Sequence, residues 1–528
     1  MKHIASILSV MILGVSLLNC SGGGSGGGGG NSPAFAVSTT SATYGVVGNA
    51  YSSTLVATGG TAPFAWTVSG GVLPVGLTLN ATTGIVTGTP AAPAGNVTTT
   101  FTVSDSTGKT ATGSVLFAIH PRTDRVSVDG SGASSNGTSP EAAMNSTDGR
   151  FITFTSSATN LTALPGGSGS QIFIHDRQTG PPSLVSRVDL GNAGNGASNQ
   201  PTISETGRYV AFTSAATNLA SIAGGSGTQV FLRDTQTNQT ILVSRDTLGN
   251  AGNGASSQPA ISADGRYVAF TSAATNLASI AGGSGTQVFL RDTQANQTSL
   301  VSRNPAGNAG NGASSESAIS GNGQFVAFTS QATNLATLVG GSGSQVYLRD
   351  MIGNLTSVVS RDAAGNAGNG ASSQASISGN GQFMAFTSQA TNLASLVGGS
   401  GSQIYLRDTI GNLTSLVSRD TLGNAGNGAS SQPAISATSG PFIAFVSLAT
   451  NIASISGGSG SQILFRDTQG NQSTLVSKDN SSPAIAGSGA SAVPVIVGNG
   501  DFVAFSSLAS NLVAGGAAQP DIYVRATP

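Results

Sequence analysis

The feature that most restricts how this chain can fold is a motif that recurs seven times from about residue 121 to the end. One phenylalanine marks each copy, and successive copies lie 58, 58, 58, 58, 59 and 60 residues apart. Self-similarity at such a period is the signature of solenoids, propellers and repeat arrays. The fold must therefore be built from one unit used seven times. The marker residues are Phe154, Phe212, Phe270, Phe328, Phe386, Phe445 and Phe505.

Each unit contains four strand-like segments, which in residues 259–316 are 259–262, 266–272, 287–292 and 298–303. In the second segment Val268 and Phe270 alternate with Tyr267 and Ala269. This period of two is expected of a strand that packs on both faces. The unit is too short for an Ig sandwich of about 100 residues. It suits a four-stranded propeller blade.

The two ends of the repeat region are complementary fragments of one unit. The region opens with RVSVD at 125–129, the equivalent of a fourth segment, and finishes with DIYVRATP, which begins like a third segment. If the N-terminal strand completes the last blade, a ring closes and leaves no open sheet edge. An open solenoid would instead carry polar caps. We therefore predict an all-β chain in which a seven-bladed β-propeller, closed by an N-terminal strand, spans residues 121–528.

The units also resemble a known repeat. The pattern S-x-D-G, two residues, a hydrophobic residue and Ala-Phe occurs at 262–270, and a later strand ends in Arg291-Asp292. Both features resemble TolB-type β-propeller repeats, over the whole repeat region. The resemblance implies a periplasmic or extracellular scaffold that contacts proteins, although propellers host many unrelated roles.

Residues 35–120 form a separate region of short alternating segments such as FAWTV and FTVSDS. The stretches GGTAPF at 59–64 and TGIVTGTP at 83–90 resemble the Ig-type domains of bacterial surface proteins. That resemblance implies a spacer or adhesive module. We predict an Ig-like β-sandwich domain at 35–120 with Trp66, the only tryptophan, in its core.

The N-terminus is predicted to direct export. An apolar run from Ile4 to Leu18 is shorter than the ~20 residues of a membrane span, so residues 1–19 are predicted to be a signal peptide. The only cysteine, Cys20, follows directly, and Leu17 to Cys20 resembles a bacterial lipobox, which implies a lipidated Cys20. A plain signal peptide with an incidental cysteine is the alternative. Residues 20–34 then form a flexible Gly/Ser tether. Ser21 favours outer-membrane sorting, so we expect a cell-envelope lipoprotein, periplasmic or surface-exposed, held to the membrane by its lipid only.

Composition restricts the function. Only 8% of residues are charged and the net charge is −1, so no basic field exists to hold nucleic acid. The three histidines (His3, His120, His175) and three glutamates (Glu141, Glu205, Glu316) show no metal-ligand spacing. We expect no cofactor, no metal and no catalysis. The leading hypothesis is a monomeric, non-enzymatic scaffold for protein or an envelope polymer. The alternatives are a polysaccharide-processing or hydrolytic propeller with a site in the central channel, and a purely structural envelope component.

Two long loops in each unit provide the candidate binding face. The second-to-third connection carries GGSG and the fourth-to-first carries GNAGNGAS, and in a blade both emerge on one face. The alternative is that glycine and asparagine simply allow tight connections. The recurring Arg-Asp pairs, such as Arg233-Asp234, are predicted to make blade-to-turn hydrogen bonds or surface ion pairs. Asp148 and Asp264 are predicted to cap turns. The candidate face residues are Asn192, Asn195, Asn250, Asn253, Asn308, Asn311, Asn366, Asn369, Asn424 and Asn427.

Overall fold

The structure is a computed structural model that describes residues 33–527, except 44, 93–94, 164–165, 190, 221–224, 280–281, 438–441, 480–484 and 517–518. Every regular element among these residues is a β-strand, which confirms the all-β prediction. No helix in the described ranges is long and apolar enough to cross a membrane. The predicted signal peptide, Cys20 and the tether up to residue 32 lie outside the described residues.

The N-terminal strands form a four-stranded sheet (β2-β9-β8-β5), a three-stranded sheet (β3-β7-β6) and a two-stranded ribbon (β1-β4). Their bounds are β1 Ala36–Val37, β2 Gly45–Val46, β3 Tyr51–Thr54, β4 Ala57–Thr58, β5 Ala65–Gly70, β6 Leu77–Leu79, β7 Ile85–Gly88, β8 Gly95–Ser104 and β9 Thr110–His120. Trp66 is buried in one cluster with Phe101 and Phe117, so its predicted core position is confirmed.

Seven four-stranded sheets follow. Sheet 1 contains β11 Glu141–Met144, β12 Phe151–Ser156, β13 Gln171–Asp176 and β14 Ser183–Leu184; sheet 2 contains β15 Ser198–Ile203, β16 Tyr209–Ser214, β17 Gln229–Asp234 and β18 Gln239–Leu242; sheet 3 contains β19 Ser256–Ile261, β20 Tyr267–Ser272, β21 Gln287–Asp292 and β22 Gln297–Leu300; sheet 4 contains β23 Ser314–Ile319, β24 Phe325–Ser330, β25 Gln345–Asp350 and β26 Leu355–Val358. Sheet 5 contains β27 Ser372–Ile377, β28 Phe383–Ser388, β29 Gln403–Asp408 and β30 Leu413–Leu416; sheet 6 contains β31 Ser430–Ile435, β32 Phe442–Ser447, β33 Gln462–Asp467 and β34 Gln472–Leu475; sheet 7 contains β35 Ser491–Ile496, β36 Phe502–Ser507, β37 Asp521–Ala526 and, as its outer strand, β10 Thr123–Arg125.

The marker phenylalanine of every repeat is fully buried on the second strand of its sheet. Phe270 stacks on Phe289 of the third strand at a ring-centroid distance of 5.9 Å. These residues join a cluster with Val230 and Leu232 of the preceding sheet. Burying one such phenylalanine contributes about 1.5–3 kcal/mol. The repeat thus encodes contacts between consecutive sheets as well as the sheets themselves.

Sheet 7 is built from both ends of the repeat region. β10 pairs antiparallel with β37, with Arg125 opposite Tyr523. An N-terminal strand therefore completes this sheet, but β10 shares only Arg125 with the segment predicted for it, residues 125–129. Beyond Arg125, the Val126 N–H still donates to the Ile522 carbonyl at 2.8 Å. Sheet 7 also packs on sheet 1, because Phe502 and Val524 share a cluster with Phe154.

Candidate functional site

The fourth-to-first connection has two structurally different halves. Its first half folds back as a small hairpin, here named a rim hairpin, such as residues 245–251, closed by a bridge between Arg245 and Ala251. The Asp189 carboxylate accepts the Thr240 N–H of the next sheet's outer strand at 3.2 Å. A rim hairpin therefore lies beside the edge strand of its neighbour, where an unpaired edge would invite aggregation. The other rim hairpins are marked by the bridges Val128–Ser134, Arg187–Ala193, Arg303–Ala309, Arg361–Ala367, Arg419–Ala425 and Lys478–Ala486.

The first candidate asparagine of each loop lies in the rim hairpin. Asn250 donates through its side-chain amide to the Asp246 carboxylate at 2.8 Å, and its backbone N–H donates to the same carboxylate. Asn366 and Asn424 repeat this contact with Asp362 and Asp420. These asparagines therefore stabilise the turn of the rim hairpin by hydrogen bonding.

The second candidate asparagine connects two loops. The Asn253 amide donates to the Thr275 hydroxyl at 2.9 Å, and its oxygen accepts the Thr275 N–H at 2.8 Å. Its backbone N–H donates to the Asn276 oxygen at 2.9 Å. The fourth-to-first and second-to-third connections therefore lie together, as the loop order predicts. The same contacts occur at Asn195, Asn311, Asn369 and Asn427.

Five sheet junctions contain a buried arginine held by an asparagine. Arg233 donates to the Thr240 hydroxyl at 2.9 Å and to the Asn238 oxygen at 3.1 Å. Arg187 of the preceding rim hairpin donates to the same oxygen at 2.6 Å. Burial, with the nearby Arg187 charge, lowers the pKa of Arg233 to about 10. The other buried arginine and asparagine pairs are Arg291 with Asn296, Arg349 with Asn354, Arg407 with Asn412 and Arg466 with Asn471.

The two residues of each Arg-Asp dipeptide therefore make different contacts. The Asp234 carboxylate accepts from the Arg208 guanidinium at 2.7 Å and from the Gln236 N–H at 2.9 Å, which confirms the predicted blade-to-turn bonds. The neighbouring Arg233 instead points between sheets, a role the sequence interpretation missed. The asparagine that follows five residues after each of these arginines was the signal for it. The predicted turn caps are confirmed, because Asp148 and Asp264 accept the N–H groups of Arg150 and Arg266.

The glutamates and His175 occupy different strands and turns of the described repeat region. Glu141 lies on β11 and Glu316 on β23, in sheets 1 and 4, while Glu205 lies in a turn of sheet 2. His175 occupies the position of the buried arginine on β13, with Nδ1 2.9 Å from the Val126 carbonyl. No three His, Cys, Asp or Glu side chains in the part of the chain that the structure describes could share a metal ion.

Grooves lie between consecutive sheets at their first-to-second and third-to-fourth turns. The groove between sheets 2 and 3 has a volume of about 200 Å³ and is lined on opposite sides by Gln239 and Gln294. The groove between sheets 3 and 4, of about 240 Å³, has Gln297 and Ile352 in the equivalent places. The repeat alignment gives Leu355 and Ile410 at these places between sheets 4 and 5. Groove chemistry thus changes from polar between sheets 2 and 3 to apolar between sheets 4 and 5.

Four aliphatic side chains, here named the apolar quartet, are exposed at these repeat positions. Their exposed fractions are 78% for Ile352, 56% for Leu355, 79% for Ile410 and 57% for Leu413. Sheets 2, 3 and 6 have glutamine at every equivalent position, in TQTNQ, TQANQ and TQGNQ against MIGNL and TIGNL. Sequence reasoning missed this change, which only a comparison of equivalent turns would have detected.

The comparisons with known proteins concern the fold. A family model described as "Putative Ig domain" matches residues 33–120. A TolB-type protein from Agrobacterium tumefaciens aligns at 12% identity over 53% of this chain and 80% of its own, with a TM-score of 0.33. Prolyl oligopeptidase B from Galerina marginata aligns at 8% identity over 70% of this chain and 46% of its own, with a TM-score of 0.42. No curated protein matches the sequence. Residues 33–120 are therefore an Ig-type domain.

Proposed function

We propose that this chain is a non-enzymatic, lipid-anchored scaffold of the cell envelope whose repeat region is a closed seven-bladed β-propeller that binds a protein. Closure is supported by the β10–β37 pairing and by the packing of sheet 7 on sheet 1. The Gly498 N–H also donates to the Ser146 carbonyl at 2.6 Å, from sheet 7 to sheet 1. Equivalent bonds link sheets 2 to 3, 3 to 4 and 4 to 5 at the same turn.

The observation that carries the binding role is the apolar quartet. Leu355 and Ile410 belong to the same groove, between sheets 4 and 5, and Ile352 and Leu413 belong to the grooves on either side of it. Exposed apolar side chains that cluster at one surface mark interaction sites. Glutamine at the same positions of sheets 2, 3 and 6 is compatible with the fold, so the aliphatic residues are not required for folding. Burying aliphatic side chains against apolar groups of a protein partner is favourable, because it removes apolar surface from water. A polysaccharide would favour aromatic platforms and polar groups instead.

The binding surface is the apolar quartet and not the Gly-rich loop face that the sequence suggested. The oxygen and amide of each second candidate asparagine already bond within the loops. They stabilise the connections between sheets and offer little hydrogen-bonding capacity to a ligand. The side chains of the apolar quartet are aliphatic and form no such hydrogen bonds, and more than half of each is exposed to solvent.

The proposed lipid anchor and cell-envelope location are inferred from the sequence of residues 1–34. A lipid on Cys20 would hold the chain at the membrane, and the Gly/Ser tether would give it a reach of roughly 20 Å. The Ig-type domain then acts as a spacer that carries the repeat region away from the surface.

A capture experiment tests the proposal. The full-length chain is the bait in envelope extract, and its quartet variant changes Ile352, Leu355, Ile410 and Leu413 to glutamine, the residue found in sheets 2, 3 and 6. A matched control changes Asn253 and Asn311 to alanine in the Gly-rich loops. We expect one protein to be captured by the wild type and the loop control, and lost with the quartet variant. Capture that survives the quartet change, or that is lost only in the loop control, would overturn the assignment.

A further inference from the structure

Each half of the apolar quartet surrounds one aspartate. Leu355 lies directly opposite Asp350 where β26 pairs with β25, and the Ile352 N–H donates to the Asp350 carboxylate at 3.0 Å. Asp408 lies in the same way between the other two members of the quartet, in sheet 5. Asp350 and Asp408 are here named the acidic pair. A partner that covers the aliphatic side chains must therefore cover these two carboxylates as well.

The acidic pair lacks the arginine that accompanies the equivalent aspartate in sheets 1 to 3. In sheet 2 the Arg208 guanidinium lies 2.7 Å from the Asp234 carboxylate, and sheets 1 and 3 contain the same ion pair. Gln324 and Gln382 take the arginine position in sheets 4 and 5, and their amides donate to the aspartates at 3.2 and 3.1 Å. Each of these two sheets therefore has one positive charge fewer beside its aspartate, and they are the two sheets that carry the quartet.

The carboxylates of the acidic pair each use one oxygen inside the chain. The Gln324 amide and two turn N–H groups all donate to Oδ1 of Asp350. Oδ1 of Asp408 accepts the same three bonds. Among the residues that the structure describes, no donor is bonded to Oδ2 of either aspartate and no cation pairs with it. The charge of the buried Arg349 acts on Asp350 as well, but equivalent arginines do so in sheets 2 and 3 and therefore do not replace the missing guanidinium.

We propose that the protein bound by the apolar quartet carries lysine or arginine side chains among its apolar groups, positioned against the acidic pair. This rests on the proposed function, because it describes the partner of that same surface. Covering the quartet removes both carboxylates from water, and burying a charge is costly unless an opposite charge pairs with it. A basic, apolar partner supplies that charge at Oδ2, whereas an acidic or wholly apolar partner is excluded by the uncompensated aspartates.

Two labelled synthetic peptides test the proposal, with binding to the full-length chain measured by fluorescence anisotropy. The peptides have equal length and the same leucines, but one has lysine and the other has glutamate at every polar position. We expect the lysine peptide to bind and the glutamate peptide not to bind. Added salt should weaken binding of the lysine peptide, because it screens the contacts with the acidic pair. The quartet variant should abolish that binding, because the apolar contacts are then lost.

Two double variants separate the charges from the apolar contacts. Gln324→Arg with Gln382→Arg recreates the ion pair of sheet 2 at both aspartates and leaves the quartet intact. Asp350→Asn with Asp408→Asn removes the two charges and retains an oxygen acceptor at each turn. Each double variant should weaken binding of the lysine peptide about threefold to tenfold, as expected for the loss of two partly exposed ion pairs.

The matched control is Gln331→Arg with Gln389→Arg, which adds the same two charges at exposed positions that follow the opposite ends of β24 and β28. We expect this control to bind the lysine peptide like the wild type. Equal binding of the two peptides, binding of neither, or equal weakening in the control would overturn the basic partner and leave the quartet to be judged by the capture experiment. Binding of the lysine peptide that survives the quartet variant would instead contradict the proposed function, because the charges alone would then hold the peptide.

Discussion

The side-chain Oε1 of Gln432 accepts the backbone N–H of Val493, which belongs to the next sheet, at 3.0 Å. Val493 has a φ of 51°, a region that β-branched residues rarely occupy. Equivalent hydrogen bonds join the first strands of the other consecutive sheets, each from a backbone N–H to a side-chain oxygen. The donor and then the acceptor are Gln200 and Glu141, Gln258 and Gln200, Glu316 and Gln258, Gln374 and Glu316, and Gln432 and Gln374.

Replacing Gln432 tests how much these hydrogen bonds between first strands stabilise the fold. Gln432→Met leaves the Val493 N–H without its acceptor, and we expect the free energy of unfolding to fall by about 1–3 kcal/mol. Gln432→Glu should retain most of the stability, because Glu316 makes the equivalent bond to Gln374. Urea denaturation measures both variants. A methionine variant as stable as the wild type would show that the bond from the Val493 N–H to Gln432 does not stabilise the fold.

The first-to-second turn of sheet 4 is predicted to need a glycine for two separable reasons. Gly323 has a φ of 75°, and a Cβ there would overlap the ring of Tyr267 in the preceding sheet. Gly307 has a φ of 92° but open space around it. Gly307→Ala should cost about 1–2 kcal/mol for the left-handed backbone alone. Gly323→Ala should cost about 1–3 kcal/mol more for the overlap. Equal losses by thermal or urea unfolding would show that the ring contact contributes nothing.

The asparagine of the arginine junction gives a third prediction. The Asn354 oxygen accepts from the buried Arg349, and Asn354 has a φ of 52°. Both variants remove the acceptor and also the Asn354 amide that donates to the Pro305 carbonyl at 3.3 Å. Asn354→Ala strains the backbone in addition, whereas Asn354→Gly does not. We expect the glycine variant to lose about 1–3 kcal/mol of unfolding free energy, and the alanine variant to lose more. If the glycine variant unfolds like the wild type, the arginine does not need the oxygen.

The Asp234 carboxylate predicts an acid dependence of stability. The hydrogen bond from Arg208 lowers the pKa of Asp234 to about 2. Because the folded pKa lies below the ordinary 3.8, the stabilisation is present above 3.8 and disappears as the pH falls towards about 2. The pair is partly exposed, so we expect a contribution of about 0–1 kcal/mol.

Unfolding free energies from pH 6 to 2 compare wild type with Asp234→Asn. The difference between them should shrink as the pH falls. Arg208→Gln reproduces the pairing found in sheets 4 and 5, where Gln324 and Gln382 donate to aspartate, and should show a smaller slope than wild type. A difference that is constant with pH would contradict the ion pair.

The sequence predicted those features that depend on local periodicity. The alternation in residues 266–272 and the spacing of the marker phenylalanines were sufficient to predict strands and repeated sheets. The complementary fragments at the two ends of the repeat region predicted that an N-terminal strand completes the last sheet. Strand bounds near the seam were not predictable, because Thr123 and Asp124 are placed by their partners in β37 and not by their own pattern.

The sites were less predictable than the fold. Asn253 looks like an exposed ligand-binding residue in sequence, but a threonine 22 residues away occupies its side chain. One cavity is lined by Arg122 together with Lys478 and Arg525, which lie more than 350 positions further along the chain. Only the three-dimensional junction brings such distant charges to one cavity.

The pairing of β10 with β37 also decides how the molecule carries load. Residues 121 and 122 alone separate the end of β9 from β10. A pull on the Ig-type domain therefore enters the repeat region along the chain at Thr123, beside the hydrogen bonds that join this short strand to β37, and through the packing of Val46 against sheets 1 and 7. The connection that completes sheet 7 is thus also a point of force entry, and the few hydrogen bonds of β10 are expected to be among the first to break under load.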